Sequence, residues 1–110
     1  MDVKAVARYV RISPRKVRPV MALIKGKGVD EALAVLRFSP NRASQAVAKV
    51  VKSAAANAEN NLDLARDTLR VAQAFVDSGP SVKRMQARAR GRADVIKKRS
   101  SHITIVVQGE

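Results

Sequence analysis

The sequence contains no cysteine and no tryptophan, and aromatic residues make up only 3% of its 110 residues. The absence of cysteine excludes disulfide frameworks, thiolate chemistry and cysteine-based zinc sites. With so few aromatic side chains, the core must be built from alanine, valine, leucine and isoleucine, and a binding surface of stacked aromatic rings is disfavoured. No apolar run is long enough to span a bilayer and no secretory signal is present, so we expect a cytoplasmic protein.

Residues suited to catalysis are also scarce. His102 is the only histidine, and it adjoins a β-rich run where a structural or hydrogen-bonding role is expected. The carboxylates show no paired spacing suited to acid/base work, and Gly26-Lys27-Gly28 is not a phosphate-binding glycine loop. We therefore expect neither an enzyme nor a bound metal or cofactor.

Positive charge is abundant and unevenly distributed. The 22 lysine and arginine residues outnumber the nine acids and give a net charge of +13. Residues 1–27 and 78–100 each carry eight basic residues against one acid, whereas residues 28–77 carry six of each. Two cationic poles around a neutral middle predict binding to a polyanion, because self-repulsion destabilises such a small domain when it is free.

Residues 78–100 are the most informative stretch. Arg88, Arg90 and Arg92 alternate with alanine and glycine, so an extended chain places the guanidinium groups on one side and small groups on the other. Arginine forks match phosphate oxygens, and small residues allow the backbone to approach closely. Strand-like runs lie on both sides of the segment, which favours a hairpin arm over a disordered tail.

Apolar periodicity predicts strands over residues 3–11, 69–76 and 103–107 and helices over residues 14–25, 30–38 and 41–60. We therefore predict an α+β fold, with three helices packed on a small antiparallel sheet and a long protruding β-hairpin. The chain is expected to form a single domain over 1–110, with a body at 1–77 and 101–110 and an arm at 78–100. Folded in two, the arm would project roughly 30 Å at about 3.3 Å per residue.

Local signals set the expected helix boundaries. Ser13-Pro14 and Ser39-Pro40 predict helix starts, and Asn60-Asn61 predicts a stop. Pro19 lies inside the first helix, where it removes a backbone donor and predicts a kink or strained turn. Arg15 and Lys16 oppose the helix macrodipole in the first turn, unless a phosphate binds at that terminus.

Five motifs follow one another along the chain. They are Arg8-Tyr9-Val10-Arg11-Ile12-Ser13-Pro14-Arg15-Lys16-Val17-Arg18, Ser53-Ala54-Ala55-Ala56-Asn57-Ala58, Gly79-Pro80 with Lys83-Arg84, Arg88-Ala89-Arg90-Gly91-Arg92-Ala93, and Lys98-Arg99-Ser100-Ser101-His102-Ile103-Thr104. With these motifs in this order, the chain resembles the bacterial large-subunit ribosomal protein L twenty-two family. Two positions depart from the family pattern. Pro19 replaces a usual aliphatic residue, and Ala87 stands where a proline commonly precedes the arginine-rich run.

The resemblance implies a structural constituent of the large ribosomal subunit that binds 23S-type ribosomal RNA and assists assembly. Its hairpin would line the nascent-peptide exit tunnel, close to the constriction where macrolides bind. The implied partners are the RNA, neighbouring large-subunit proteins and the nascent peptide; no membrane contact and no homo-oligomer are expected. The implied RNA-binding residues are Arg8, Arg11, Ser13, Arg15, Lys16, Arg18, Lys25, Lys27, Lys83, Arg84, Arg88, Arg90, Arg92, Lys97, Lys98 and Arg99. The implied tunnel-lining tip consists of Arg84, Met85, Gln86, Ala87, Arg88, Ala89, Arg90, Gly91, Arg92 and Ala93.

Two other classes of polyanion-binding protein share some of these features. A DNA-architectural protein with a basic β-arm would normally need a dimer interface and an apolar wedge at the arm tip, and this tip is Arg-Gly-Arg. A membrane-surface module would need a basic amphipathic helix with large apolar residues on its other face, which the arginine-rich segment lacks. The architectural protein remains the alternative interpretation.

Overall fold

The computed structural model describes residues 2–39, 41–79, 82–87 and 93–109, with the backbone alone for 82–87 and 93–98. The elements in chain order are β1 (Asp2–Val10), α1 (Pro14–Ile24), α2 (Val29–Arg37), α3 (Arg42–Leu62), a 3-10 turn (Arg66–Thr68), β2 (Arg70–Ser78), β3 (Val82–Ala87), β4 (Ala93–Lys98) and β5 (Ser101–Gln108). Each helix and strand predicted from periodicity is present, with boundaries that differ by a few residues at most. The 3-10 turn was not predicted.

The main sheet has three antiparallel strands in the order β1-β5-β2. The predicted pairing of the strands on either side of the arm is confirmed, because β2 pairs with β5. The last strand, β5, is central, and its Ile105 lies opposite Ala5 of β1 and Ala74 of β2. The two ends of the chain are therefore joined in one sheet.

The core lies between this sheet and the three helices. Ile103, Ile105 and Val107 alternate along β5 and are fully buried on the face that the helices cover. Helix α3 packs over β1 and β5, α1 packs over β2, and α2 packs against both helices. Fully buried alanines, including Ala43, Ala54 and Ala58, permit close packing of α3. The predicted α+β architecture is confirmed.

Both ends of helix α3 differ from prediction, whereas α1 begins where predicted. Helix α3 is capped by Asn41, whose Oδ1 accepts a 3.0 Å hydrogen bond from the Ala43 N–H, and not by Ser39. It continues through Asn60-Asn61 and ends where Asp63 adopts a left-handed conformation with a φ of 54°. Pro19 is exposed inside α1, and the helix continues past it to Ile24. Ser13 is the N-cap of α1 as predicted, yet its side chain makes no capping hydrogen bond.

The start of β5 fixes the turn between β1 and α1. Tyr9 has a φ of 58° at a register shift in β1, and its backbone N–H donates to His102 Nδ1 at 3.1 Å. The Tyr9 and His102 rings meet edge to face with centroids 5.0 Å apart. The hydroxyl of Ser101 donates to the Ile12 carbonyl oxygen. The predicted hydrogen-bonding role of His102 is thus confirmed, and it holds the turn in place.

Strands β3 and β4 form a second, two-stranded antiparallel sheet with a register from Val82↔Lys98 to Ala87↔Ala93. The residues predicted between these strands, 88–92, lie outside the described residues. The molecule is elongated: it is 62 Å long and its radius of gyration is 16.9 Å. A compact chain of this length would have a radius of gyration of about 13 Å.

Replacing Ser101 with alanine should lower stability by about 1–3 kcal/mol, because the Ile12 carbonyl loses its donor at a site where Ser101 is fully buried. The thermal unfolding midpoint, followed by circular dichroism, should fall by several degrees. The matched control is Ser53→Ala on the exposed side of α3, where we expect less than about 0.5 kcal/mol. Equal shifts in the two variants would show that the Ser101 bond does not stabilise the turn.

Deleting residues 82–96 and closing the turn should leave folding of the remainder nearly unchanged. All core side chains that the structure describes come from the three-stranded sheet, the helices and the loops that join them. We expect the unfolding midpoint to stay within about 4 °C of the full chain, and unfolding to stay cooperative. Ile105→Ala in the full chain is the positive control, with a cost of about 2–5 kcal/mol. Loss of cooperative unfolding on deletion would mean that β3 and β4 pack on the body.

Candidate nucleic-acid interface

A cation-lined cleft lies where the chain leaves the three-stranded sheet for β3. Its volume is about 420 Å³, and we call it the junction cleft. It is lined by Ser13, Pro14, Arg15, Arg18, Ser78 and Arg99. Helix α1 forms one wall, and the end of β2 with the segment before β5 forms the other. The cleft therefore joins two parts of the chain that are far apart in sequence, and it collects predicted site residues from both cationic poles.

Among the residues that the structure describes, no acidic side chain lines the junction cleft. Asp77 is the nearest acid along β2, but strand alternation places it on the sheet face away from the helices, opposite His102. Ion pairs within the described part of the chain are Lys27–Glu31 and Arg66–Asp30, so none involves an arginine of the cleft. Three guanidinium groups without a counter-charge make the cleft a site for anions.

A second groove of about 420 Å³ lies between β1 and α3, and we call it the β1–α3 groove. Arg11, Arg42 and Lys49 line it together with Gln45 and Ser53, and its floor is apolar. The groove adjoins the junction cleft through the turn from Arg11 to Ser13. The two sites together extend the cationic surface over the sheet end at which α1 begins.

A smaller groove of about 280 Å³ lies between α1 and β2. Arg18 and Lys25 approach the half-exposed ring of Phe75 there. Arg18 lines this groove as well as the junction cleft, so it lies between the two. In such a groove a cation can bind a phosphate while the exposed aromatic ring stacks on a base.

The remaining predicted residues of the body are not all in these grooves. Lys27 Nζ lies 3.5 Å from Glu31 Oε1, and this ion pair weakens the attraction of Lys27 for an anionic ligand. Lys16 is exposed on α1 outside the lining of the junction cleft. Arg8 is exposed on β1, and alternation places it with Lys4 and Val6 on the outer sheet face. The structure thus brings together Ser13, Arg15, Arg18 and Arg99, and it places Arg8 elsewhere.

The predicted arm residues fall into two groups. The backbones of Lys83, Arg84, Met85, Gln86 and Ala87 belong to β3, and those of Ala93, Lys97 and Lys98 belong to β4. The positions Arg88, Ala89, Arg90, Gly91 and Arg92 lie outside the described residues. Within the ladder, Lys83 is paired in register with Lys97.

The prediction from sequence missed the cations of α3 and the hydroxyl of Ser78. Arg42 and Lys49 belong to the segment that appears neutral when charge is summed along the chain. A helical signal was present, since Arg42, Gln45, Lys49 and Ser53 recur at spacings of three and four and share one face. The acids of the same segment lie elsewhere, for example Asp30 against Arg66 at 2.9 Å.

Two other kinds of site were searched for across the described residues. No group of histidine, cysteine and acidic side chains there is arranged to hold a metal ion. None of the helices in that part of the chain is long and apolar enough to cross a membrane. The cationic grooves are therefore the candidate functional site.

Comparison with known proteins identifies the family. The family model described as Ribosomal protein L22p/L17e matches residues 5–108. Relatives named large ribosomal subunit protein uL22 include one from Desulforamulus reducens, 63% identical over 107 residues that cover 97% of this chain and 95% of the relative. The relative from Thermoanaerobacter sp. strain X514 is 65% identical over 108 residues, covering 98% of this chain and 97% of its own. The relative from Thermus thermophilus is 59% identical over 107 residues, covering 97% and 95%. The resemblance inferred from the motifs is confirmed, and the chain belongs to the L22p/L17e family of large-subunit ribosomal proteins.

Proposed function

We propose that this chain binds 23S-type ribosomal RNA as a structural constituent of the large subunit and assists its assembly in the cytoplasm. Its body anchors the protein on RNA through the junction cleft and the β1–α3 groove. Its arm, residues 78–100, lines the nascent-peptide exit tunnel and contacts the peptide there. The chain also contacts neighbouring large-subunit proteins.

The observation that carries the proposal for the body is the convergence of cations from distant segments, none of which forms an ion pair within the described part of the chain. Arg11 and Arg42 meet in one groove, and Arg15 and Arg99 meet in the adjoining cleft. Folding thus concentrates charge on one side of a small body, although repulsion between the cations opposes it. Phosphate groups of a folded RNA neutralise such a surface.

The proposal for the arm is supported by its pairing and composition. Strands β3 and β4 pair over six positions, and the whole molecule is 62 Å long. Residues 78–100 supply eight cations and few large apolar side chains. A segment of this kind gains more from an RNA-walled channel than from packing on its own body. The tunnel itself is inferred from the family.

A DNA-architectural protein with a basic β-arm is the alternative function. The two are separated by sedimentation of cell extract through a sucrose gradient in magnesium. Co-migration of the chain with large subunits is the result expected for a ribosomal protein. Free or nucleoid-bound protein would support the alternative and contradict the proposed function.

Binding to large-subunit RNA should depend steeply on salt. If about ten phosphates are neutralised, the slope of log affinity against log salt should approach roughly −7 to −9. Titrations by filter binding at several salt concentrations measure this slope, and Arg42→Gln should reduce its magnitude by about 0.7–0.9. Arg37→Gln, at the end of α2 and outside both cation-lined sites of the body, is the control. A wild-type slope near −2 would show that most of the cations never meet phosphate.

A change in the arm and a change in the body should have different effects on assembly and on drug susceptibility. Deleting Lys83 shifts the β3–β4 register by one residue and moves the following side chains to the opposite face. We expect altered macrolide susceptibility or nascent-chain stalling, with subunit assembly largely intact. Replacing Arg11, Arg42 and Lys49 of the β1–α3 groove together with glutamine should weaken assembly and leave drug susceptibility nearly unchanged.

The two variants are compared by drug susceptibility and by subunit profiles from the same cultures. The proposed division of labour requires opposite patterns in the two measurements. If both variants change assembly and susceptibility alike, the body does not act as an anchor separately from the arm.

A further inference from the structure

The walls of the junction cleft belong to segments that are far apart in the sequence. Arg15 and Arg18 are on α1, which packs against β2. Ser78 is the last residue of β2, and Arg99 lies in the connection between β4 and β5. Any ligand that contacts both walls therefore joins the body to the base of the arm.

Hydrogen bonds to backbone carbonyl oxygens fix the chain on the two sides of the cleft. The Gly79 N–H donates to the Ser100 carbonyl oxygen at 2.9 Å and closes the β2–β5 pair just beyond Ser78. Gly79 lies so close to the Ser100 hydroxyl that a Cβ at this position would collide with it. On the other side, the Ser101 hydroxyl holds the Ile12 carbonyl oxygen immediately before Ser13. The backbone segments that carry the donors are thus fixed in place before a ligand arrives, which lowers the entropic cost of binding.

The donor set suits one class of ligand. Three guanidinium groups and two serine hydroxyls offer many N–H and O–H donors, and Ser13 is free to donate because its side chain makes no cap bond. Guanidinium forks bind phosphate oxygens in pairs, and hydroxyls complete the coordination. A cleft of about 420 Å³ has room for a phosphodiester with its sugar but not for a protein helix.

We propose that the junction cleft binds a backbone phosphodiester of the RNA and thereby clamps the base of the arm to helix α1. The clamp rests on the proposed RNA-binding function and assigns it a particular site. Neutralising the three guanidinium groups removes their mutual repulsion, so the bound anion stabilises the fold as well as the attachment of the arm. RNA binding and the direction of the arm are then coupled through a single anion.

The first test uses the full-length protein and inorganic pyrophosphate, followed by backbone NMR at low ionic strength. We expect saturable shifts of the amide signals of Ser13, Arg15, Ser78 and Arg99. Arg99→Gln should weaken pyrophosphate binding about fivefold to tenfold, as expected for loss of a partly exposed charge-assisted contact. Arg37→Gln removes the same charge outside the cleft and should change the affinity less than about twofold.

The second test measures affinity of the same variants for large-subunit RNA. Arg99→Gln should weaken this affinity several-fold more than Arg37→Gln does. Equal effects of the two variants on pyrophosphate would show diffuse anion binding and overturn the clamp, while RNA binding by the wild type would leave the proposed function standing. Pyrophosphate binding in the cleft without a larger loss of RNA affinity in Arg99→Gln would also overturn the clamp. Failure of the wild type to bind large-subunit RNA would overturn the proposed function and the clamp together.

Discussion

The attachment of the β1–α1 turn to the first residues of β5 is the constraint on which the functional surface depends. The Ser101 hydroxyl donates to the Ile12 carbonyl oxygen, and the Tyr9 backbone N–H donates to His102 Nδ1. Because β5 is the central strand, these contacts fix the start of α1 relative to the whole sheet. Only Ser100 separates Ser101 from Arg99. One cluster of contacts therefore positions both walls of the junction cleft.

The distribution of charge in space differs from its distribution along the chain. Residues 28–77 carry equal numbers of acids and bases, yet Arg42 and Lys49 join the cationic surface, whereas Asp30 pairs with Arg66 on another side. Helices α1 and α3 both begin with cations and without acids in the first turn. That arrangement is unfavourable for the helix macrodipole in the free protein and favourable once a phosphate is bound. The free protein thus gives up some stability, and a bound polyanion, as the proposed function requires, would restore it.

Periodicity in the sequence predicted every helix, all three strands of the main sheet and the pairing of β2 with β5. These features follow from local repeats of apolar residues and need no knowledge of distant contacts. The ends of α3 were less predictable. Asn41 caps the helix through its side chain although Ser39-Pro40 beside it is a stronger start signal, and Asp63 ends the helix with a left-handed backbone although Asn60-Asn61 predicts an earlier stop. The place of β1 beside β5 depends on contacts between the two ends of the chain, which periodicity does not encode.

Only part of the candidate site could be predicted in the same way. Arg15, Arg18 and Arg99 were identified from charge and motif, but their meeting in one cleft depends on the tertiary fold. Ser78 was missed because an isolated serine at the end of a strand carries no signal until its neighbours in space are known. Lys49 was missed because charge was summed along the chain and not around the helix face that it shares with Arg42. The expected partner, large-subunit RNA, was inferred from the family, and the proposed contacts with it were inferred from the geometry of the grooves.

If the body binds RNA through its cation-lined clefts and the junction cleft fixes the arm, electron cryomicroscopy of large subunits that contain this chain will show RNA at both places. We expect phosphate density between Arg15, Arg18 and Arg99, RNA along the β1–α3 groove, and residues 82–98 within the wall of the exit tunnel. A junction cleft open to solvent, with RNA on the outer sheet face instead, would contradict this interpretation.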